Sequence, residues 1–244
     1  MMVCEIHDLG LMEYQPAWDL QNRFAAEVAR GERPPTLLLL EHPHTYTFGR
    51  KGQAENLLWD QEQLNECGAA VHWVDRGGDV TYHGPGQLVG YPLIALGKLD
   101  QQARIPQVDY IGYVRNLEKV LIKALAGIGL VSGQLNGKTG VWVQADVASR
   151  CSRCRPEDRK KPAKIAAVGV KVDAQGITRH GFALNVNPDM SYFDGIIPCG
   201  IADYPVVSLA DLCSPLPSME TMKEQVVHAF GEVFACETAG VTYD

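Results

Sequence analysis

The sequence predicts an α/β (α+β) fold in which one β-sheet carries helices packed on it, and three observations lead there. In the first half, segments with the period of an amphipathic helix alternate with short apolar runs of strand length. The second half is β-rich and punctuated by glycine, Asn-Pro and proline. No linker divides the 244 residues, so a single domain over 1–244 is the economical reading.

Residues 17–30 carry Leu20, Phe24, Ala25 and Val28 at helical spacing and stop at Gly31 and Pro34-Pro35. Residues 36–41 read as a short buried strand, broken by His42-Pro43, and 45–48 resume extended character. Residues 57–67 are predicted as a helix closed by Gly68. A strand at 70–74 feeds a glycine-rich loop, 76–87, and a strand at 88–96 leaves it. Residues 110–125 place Ile111, Val114, Leu117, Val120, Leu121 and Leu125 on one helical stripe. Strands are expected at 139–144, 164–172, 177–186 and around Ile196-Ile197, and a last helix at 219–234.

Composition bounds the function. A hydrophobic content of 46% with 21% charged residues suits a soluble domain with a sizeable core. The longest obvious apolar run, Leu37 to Leu40, is far short of the roughly 20 residues of a membrane span. The start, Met1-Met2-Val3-Cys4-Glu5, has neither a basic signal-peptide region nor an Arg-rich presequence, so a cytoplasmic protein is expected, with no membrane partner. The net charge of −7 argues against a nucleic-acid binder. Seven scattered cysteines, an odd number, fit reduced thiols better than a disulfide framework.

One segment stands apart. Residues 147–163 form a polar stretch without apolar periodicity, and from Arg150 to Lys164 seven basic residues face two acidic ones. Long loops inside compact domains are functional or disordered, and this one is a candidate flap for docking acidic protein partners. Its Cys151-x-x-Cys154 pair is half of a zinc or redox motif, but no second pair accompanies it.

The chemistry is sought first in Arg76-Gly77-Gly78-Asp79-Val80-Thr81-Tyr82-His83-Gly84-Pro85-Gly86-Gln87. Its four glycines bring backbone close to a ligand, yet their spacing matches neither a dinucleotide fingerprint nor a P-loop. His83 is a site-facing base or a hydrogen-bonding group that positions something else. Cys199, in Ile196-Ile197-Pro198-Cys199-Gly200, sits on a turn where neighbouring amides can hold an oxyanion; the bland alternative is an inert thiol. Lys164 opens a run of small apolar residues and is either a solvated strand-end lysine or a partner that favours thiolate and later takes a proton.

Taken together, Arg76-Gly-Gly-x-x-Thr81-Tyr-His83-x-x-Gly86-Gln87-x-x-x-Tyr91 resembles the signature of the lipoyl(octanoyl) transferase, or LipB, family. Leu39-Leu40-Glu41-His42-Pro43, Tyr46-Thr47-x-Gly49-Arg50, Gly137-Lys-Thr-Gly140-Val-Trp142 and Lys164-Ile-Ala-Ala-Val-Gly169 follow the family order. So do His180-Gly-x-Ala-Leu-Asn185 and Pro198-Cys199-Gly200, while the basic segment at 147–163 departs from it. The resemblance implies a mixed sheet flanked by helices, as in the catalytic domains of biotin and lipoate protein ligases. It implies transfer of an octanoyl or lipoyl group from acyl carrier protein to a lysine of lipoyl domains, in 2-oxoacid dehydrogenases and the glycine cleavage H protein. Cys199 then matches the thioester nucleophile and Lys164 the residue that lowers its pKa and accepts a proton. The substrate-binding segments correspond to Arg76, Gly77, Gly78, Asp79, Val80, Thr81, Tyr82 and His83, to Ala167, Val168 and Gly169, and to Gly181, Phe182 and Ala183. No cofactor and no metal are implied, and the family-implied state is a monomer.

Two other enzyme classes and one binding class compete. An ATP-dependent lipoate ligase of the same fold needs no cysteine nucleophile, and a cysteine hydrolase using Cys199 with His83 releases free acid. A non-catalytic acyl-binding protein has no need of Cys199 and Lys164 together.

Overall fold

The computed structural model describes residues 2–97, 109–197 and 203–240. Its strands, in chain order, are β1 (Met2–Leu11), β2 (Thr36–Glu41), β3 (Thr45–Phe48), β4 (Ala70–Trp73), β5 (Val80–His83) and β6 (Gln87–Leu93). Then come β7 (Gly133–Leu135), β8 (Lys138–Val143), β9 (Ala163–Val172), β10 (Thr178–Asn185) and β11 (Cys236–Gly240). The helices are α1 (Tyr14–Arg30), α2 (Gln61–Glu66), α3 (Tyr110–Gly127), α4 (Ala145–Ala148), α5 (Leu209–Leu212) and α6 (Met219–Phe234).

An eight-stranded mixed sheet runs in the order β11-β1-β2-β6-β10-β9-β8-β7, parallel on both sides of β1 and antiparallel from β2 to β7. A separate three-stranded sheet, β4-β3-β5, was not anticipated. The glycine-rich segment 76–87 is not loop throughout, since its residues 80–83 pair with β3. Ile196 contributes only an isolated bridge to Leu57, and β1 and β11 were not expected as strands.

The run Leu37–Leu40 explains how the large sheet is covered. Successive side chains of a strand point to opposite faces. Leu37 and Leu39 enter the core beneath α3 and α6, while Leu38 and Leu40 enter a second core with Ala17, Leu20 and Phe24 of α1. A strand buried on both faces reads as a continuous apolar run, and this one does. The small sheet carries its own cluster, Tyr46, Phe48, Val80, Tyr82 and Leu64 of α2.

The segment 147–163 is anchored rather than free-standing. Val147, Ala148, Cys151 and Cys154 are buried in the core beneath α3, and Arg159 donates from Nε to the Cys154 carbonyl at 2.8 Å. Cys151 and Cys154 form a disulfide, which corrects the expectation of reduced thiols for this pair. The anchors are two small residues and two cysteines across a tight turn, too short a pattern for periodicity to register. Cys4, Cys67, Cys213 and Cys236 are free thiols.

Candidate active site

A β-bulge sets the phase of the site. Val141 faces Ala166 across the β8–β9 ladder and Trp142 faces Lys164, so one step along β8 spans two along β9 and Ile165 is the extra residue. Before the bulge, Lys164 points to the face away from α3; after it, Ala167 and Gly169 do. Ile165, Ala166 and Val170 fill the α3 side. In a strand without a bulge, residues three apart lie on opposite faces, so it is the bulge that puts Lys164 and Ala167 on the same one. Gly140 permits the crowding: its φ is +113°, and a Cβ there would stand 2.6 Å from the Ala166 carbonyl and 3.3 Å from Lys164 Cε.

Lys164 is fixed at its backbone by Pro205, whose carbonyl accepts its N–H at 2.9 Å, and by Val207, whose N–H donates to its carbonyl at 2.9 Å. Its Nζ lies 5.0 Å from the Trp142 ring centre, within reach of a cation–π attraction. It lines a compartment with Thr81, Gln87, Ala167, Ala183, Asn185, Phe193 and Val206. A larger pocket adjoins it and shares Thr81, Ala167 and Ala183. Arg76, Gly77, Gly78, His83, Val168, Gly169, Gly181 and Phe182 also line that pocket, together with Tyr14, Tyr91 and His180.

Most of the sequence-derived substrate residues therefore surround one pocket, and three do not. Strand alternation in β5 turns Thr81 and His83 toward it, and Val80 and Tyr82 into the small-sheet core. Tyr82 stacks on Tyr192 at 5.0 Å and its hydroxyl meets His44 Nδ1 at 2.8 Å. Asp79 accepts from Gln53 N at 3.1 Å, from Val80 N and from Asn56, and so ties down the 50–56 turn. Cys199 lies outside the described residues.

His83 is buried and joined to Gln87 Oε1 through Nδ1 at 2.7 Å and to Thr47 Oγ1 through Nε2 at 3.4 Å. Burial, and next the neighbouring His42, push its pKa well below the usual histidine value, so it is a neutral hydrogen-bonding group. Burial lowers His42 to about 4 as well. The donors around His83 run in one direction. Arg76 donates to Thr47 Oγ1 at 2.9 Å, whose hydroxyl is oriented toward His83 Nε2. Gln87 Nε2 donates to Asn185 Oδ1 at 2.9 Å, and Asn185 Nδ2 donates to the Val207 carbonyl at 3.1 Å. The chain connects the arginine at one end of the pocket to the strand segment that holds Lys164.

Tyr14, Tyr91 and His180 line the pocket without a role read from the sequence, and His180 breaks a local rule. By alternation His180 belongs on the α3 side with Phe182 and Leu184, but its φ of 55° turns it to the α1 side. There its Nε2 meets Asp75 Oδ1 at 2.8 Å, and Asp75 also pairs with Arg179 at 2.6 Å. The His180 hydrogen bond, then Arg179, hold the Asp75 carboxyl well below the usual carboxylate range. Tyr14 lies one turn before the predicted start of α1, where apolar spacing gives no warning of it. Tyr91 was visible in the motif, without a role.

The model of the lipoyl protein ligase A/B catalytic domain matches residues 13–231. The chain belongs to that family. The octanoyltransferase of Chloroflexus aurantiacus is 46% identical over 237 residues, covering 97% of this chain and 96% of that protein. That of Rubrobacter xylanophilus is 45% identical, covering 92% and 90%. Among solved structures, a bipartite lipoate protein ligase from Thermoplasma acidophilum superimposes with a TM-score of 0.73 at 15% identity, over 100% of this chain and 88% of that one. At that identity the likeness speaks for the fold, a mixed sheet flanked by helices, as the sequence resemblance implied. Among the described residues no group of three or more His, Cys, Asp or Glu is arranged to hold a metal, and no helix is long and apolar enough to cross a membrane.

Proposed function

We propose that this chain is an acyltransferase that moves an octanoyl or lipoyl group from acyl carrier protein to the ε-amine of a lysine on lipoyl domains. The acceptors are those of 2-oxoacid dehydrogenases and the glycine cleavage H protein, and the enzyme works as a cytoplasmic monomer. The observation that carries this reading is the narrow pocket beginning at Lys164 and floored by Ala167, Gly169, Gly181 and Ala183. It suits a flexible apolar chain with a reactive head at the lysine. Relatives named octanoyltransferase, aligned over nearly the whole chain, support it.

In this mechanism Cys199 thiolate adds to the thioester carbonyl, and the carrier's thiolate leaves. Like replaces like, so no external activation is required. The lysine amine of the acceptor then attacks the acyl-enzyme, and Lys164 takes the proton it must lose. Lys164 thus serves first as a cation near sulfur, gives its proton to the departing carrier thiolate, and then stands neutral as the base. His83, neutral and locked to Gln87, shapes the pocket and is not a proton carrier.

The test is intact-mass spectrometry after mixing enzyme with octanoyl carrier protein. An octanoyl adduct on Cys199, passed on to a lipoyl domain without ATP, is expected in the wild type. Cys199→Ser is expected to form no thioester adduct and Lys164→Ala to lose transfer. Octanoate released free, or transfer that demands ATP, refutes the reading.

A further inference from the structure

We propose that Asn185 is a catalytic residue that holds the acyl carbonyl oxygen while negative charge builds on it. This rests on the acyl-transfer reading above and deepens it. An acyl tail that occupies the larger pocket must pass Thr81, Ala167 and Ala183, which leaves its carbonyl in the lysine compartment. Ala167, Ala183, Phe193 and Val206 are the apolar half of its lining, so the donors among Thr81, Gln87, Lys164 and Asn185 decide where a carbonyl oxygen settles.

Asn185 is 3% exposed and lines the compartment beside Lys164. Its Oδ1 accepts from Gln87 at 2.9 Å, and one amide hydrogen goes to the Val207 carbonyl at 3.1 Å. A carboxamide has two amide hydrogens, and the second has no acceptor among the described residues. Gln87 offers nothing comparable, because its amide hydrogens go to the Tyr82 carbonyl at 3.1 Å and to Asn185. Lys164 has the thiolate and the acceptor amine to serve. Asn185 is therefore a neutral donor, clamped at both ends of its amide plane and removed from water, where a preorganised dipole acts most strongly.

In the step it assists, the cysteine sulfur forms a bond to the carbonyl carbon and the C=O π electrons move onto oxygen. The Asn185 N–H stabilises that oxyanion. Collapse restores the C=O, breaks the bond to the carrier's sulfur and releases its thiolate. The same donor serves the second half, when the amine attacks the acyl-enzyme.

The experiment compares wild type with Asn185→Ala and the near-isosteric Asn185→Asp. Single-turnover formation of the octanoyl-enzyme is expected to slow about 10²-fold or more in both. Alkylation of Cys199 by iodoacetamide across pH 6–9 reports the thiolate without any carbonyl, and is expected to keep its wild-type profile. Acylation within threefold of wild type overturns the proposal. A parallel loss of alkylation overturns it too, by making Asn185 a positioning residue for Lys164. The wild type supplies a measurement that needs no variant: the infrared carbonyl band of a ¹³C-octanoyl-enzyme is expected below that of an equally labelled free thioester, and an unshifted band refutes the proposal. A wild-type enzyme that takes up no octanoyl group at all sinks the acyl-transfer reading instead.

Discussion

Replacing Ala167 by leucine is expected to separate long acyl chains from short ones. Ala167 stands at the passage between the lysine compartment and the larger pocket, and leucine places three further carbons there. Beyond the passage the pocket follows β9 to Gly169, about 7 Å at the usual rise of a strand. That length holds about five methylenes of an extended chain at roughly 1.3 Å each. Excluding them from apolar surroundings forfeits about 0.8 kcal/mol apiece, roughly 4 kcal/mol in all. At about 1.4 kcal/mol per factor of ten, octanoyl transfer falls on the order of 10³-fold in kcat/KM. A butanoyl thioester, whose carbons stay mainly on the lysine side, loses less than about tenfold by the same reckoning. The assay is transfer to a lipoyl domain from carrier protein charged with each chain, followed by mass spectrometry. Equal losses for the two chains, or none for octanoyl, refute the placement of the tail.

Four further outcomes follow from the same geometry. Gly140→Ala forces a side chain into a φ of +113° with its Cβ 2.6 Å from the Ala166 carbonyl; a loss of about 1–3 kcal/mol in urea unfolding is expected, and an unchanged midpoint argues against the bulge packing. Glu118 is fully buried and accepts from Arg115 at 2.7 Å, Gln134 at 2.8 Å and Gly140 N at 2.8 Å. Glu118→Ala should remove about 3 kcal/mol, roughly 6–12 °C in calorimetry for a chain of this size. Asp75, whose folded pKa is depressed, contributes stability above its unfolded value of about 3.9 and loses it as pH falls toward the folded one. The gap in thermal midpoint between wild type and Asp75→Asn should therefore narrow from pH 5 downward, and a constant gap contradicts the pairing. Arg150 and Lys160 are exposed on the basic segment; reversing both to glutamate should raise KM for octanoyl carrier protein about tenfold at low salt. The effect should fade as salt rises, and a small pantetheine thioester should be indifferent to the change.

Much of the fold was legible because the long elements repeat their signal. The helix at 219–234 and the strands at 36–41 and 45–48 lie where spacing put them. Gly77 and Gly78 of the glycine-rich segment line the larger pocket together with Gly169. What escaped was phase. Periodicity in Lys164-Ile-Ala-Ala-Val-Gly169 gives no sign of an inserted residue, because every side chain after the lysine is small or apolar. His180 escaped for the related reason that a single left-handed residue leaves no trace in a hydropathy pattern. Asn185 looked like a motif letter until its partners could be counted.

The bulge at Ile165 also determines which changes of length this segment tolerates. Deleting Ile165, the extra residue, leaves two regular steps from Lys164 to Ala167 and keeps both on one face, whereas deleting two residues there leaves a single step and drives the ammonium toward the apolar layer beneath α3. Odd and even deletions in the same short stretch should thus have opposite consequences for the face on which Lys164 stands. For this strand, parity of length decides which side of the sheet Lys164 serves.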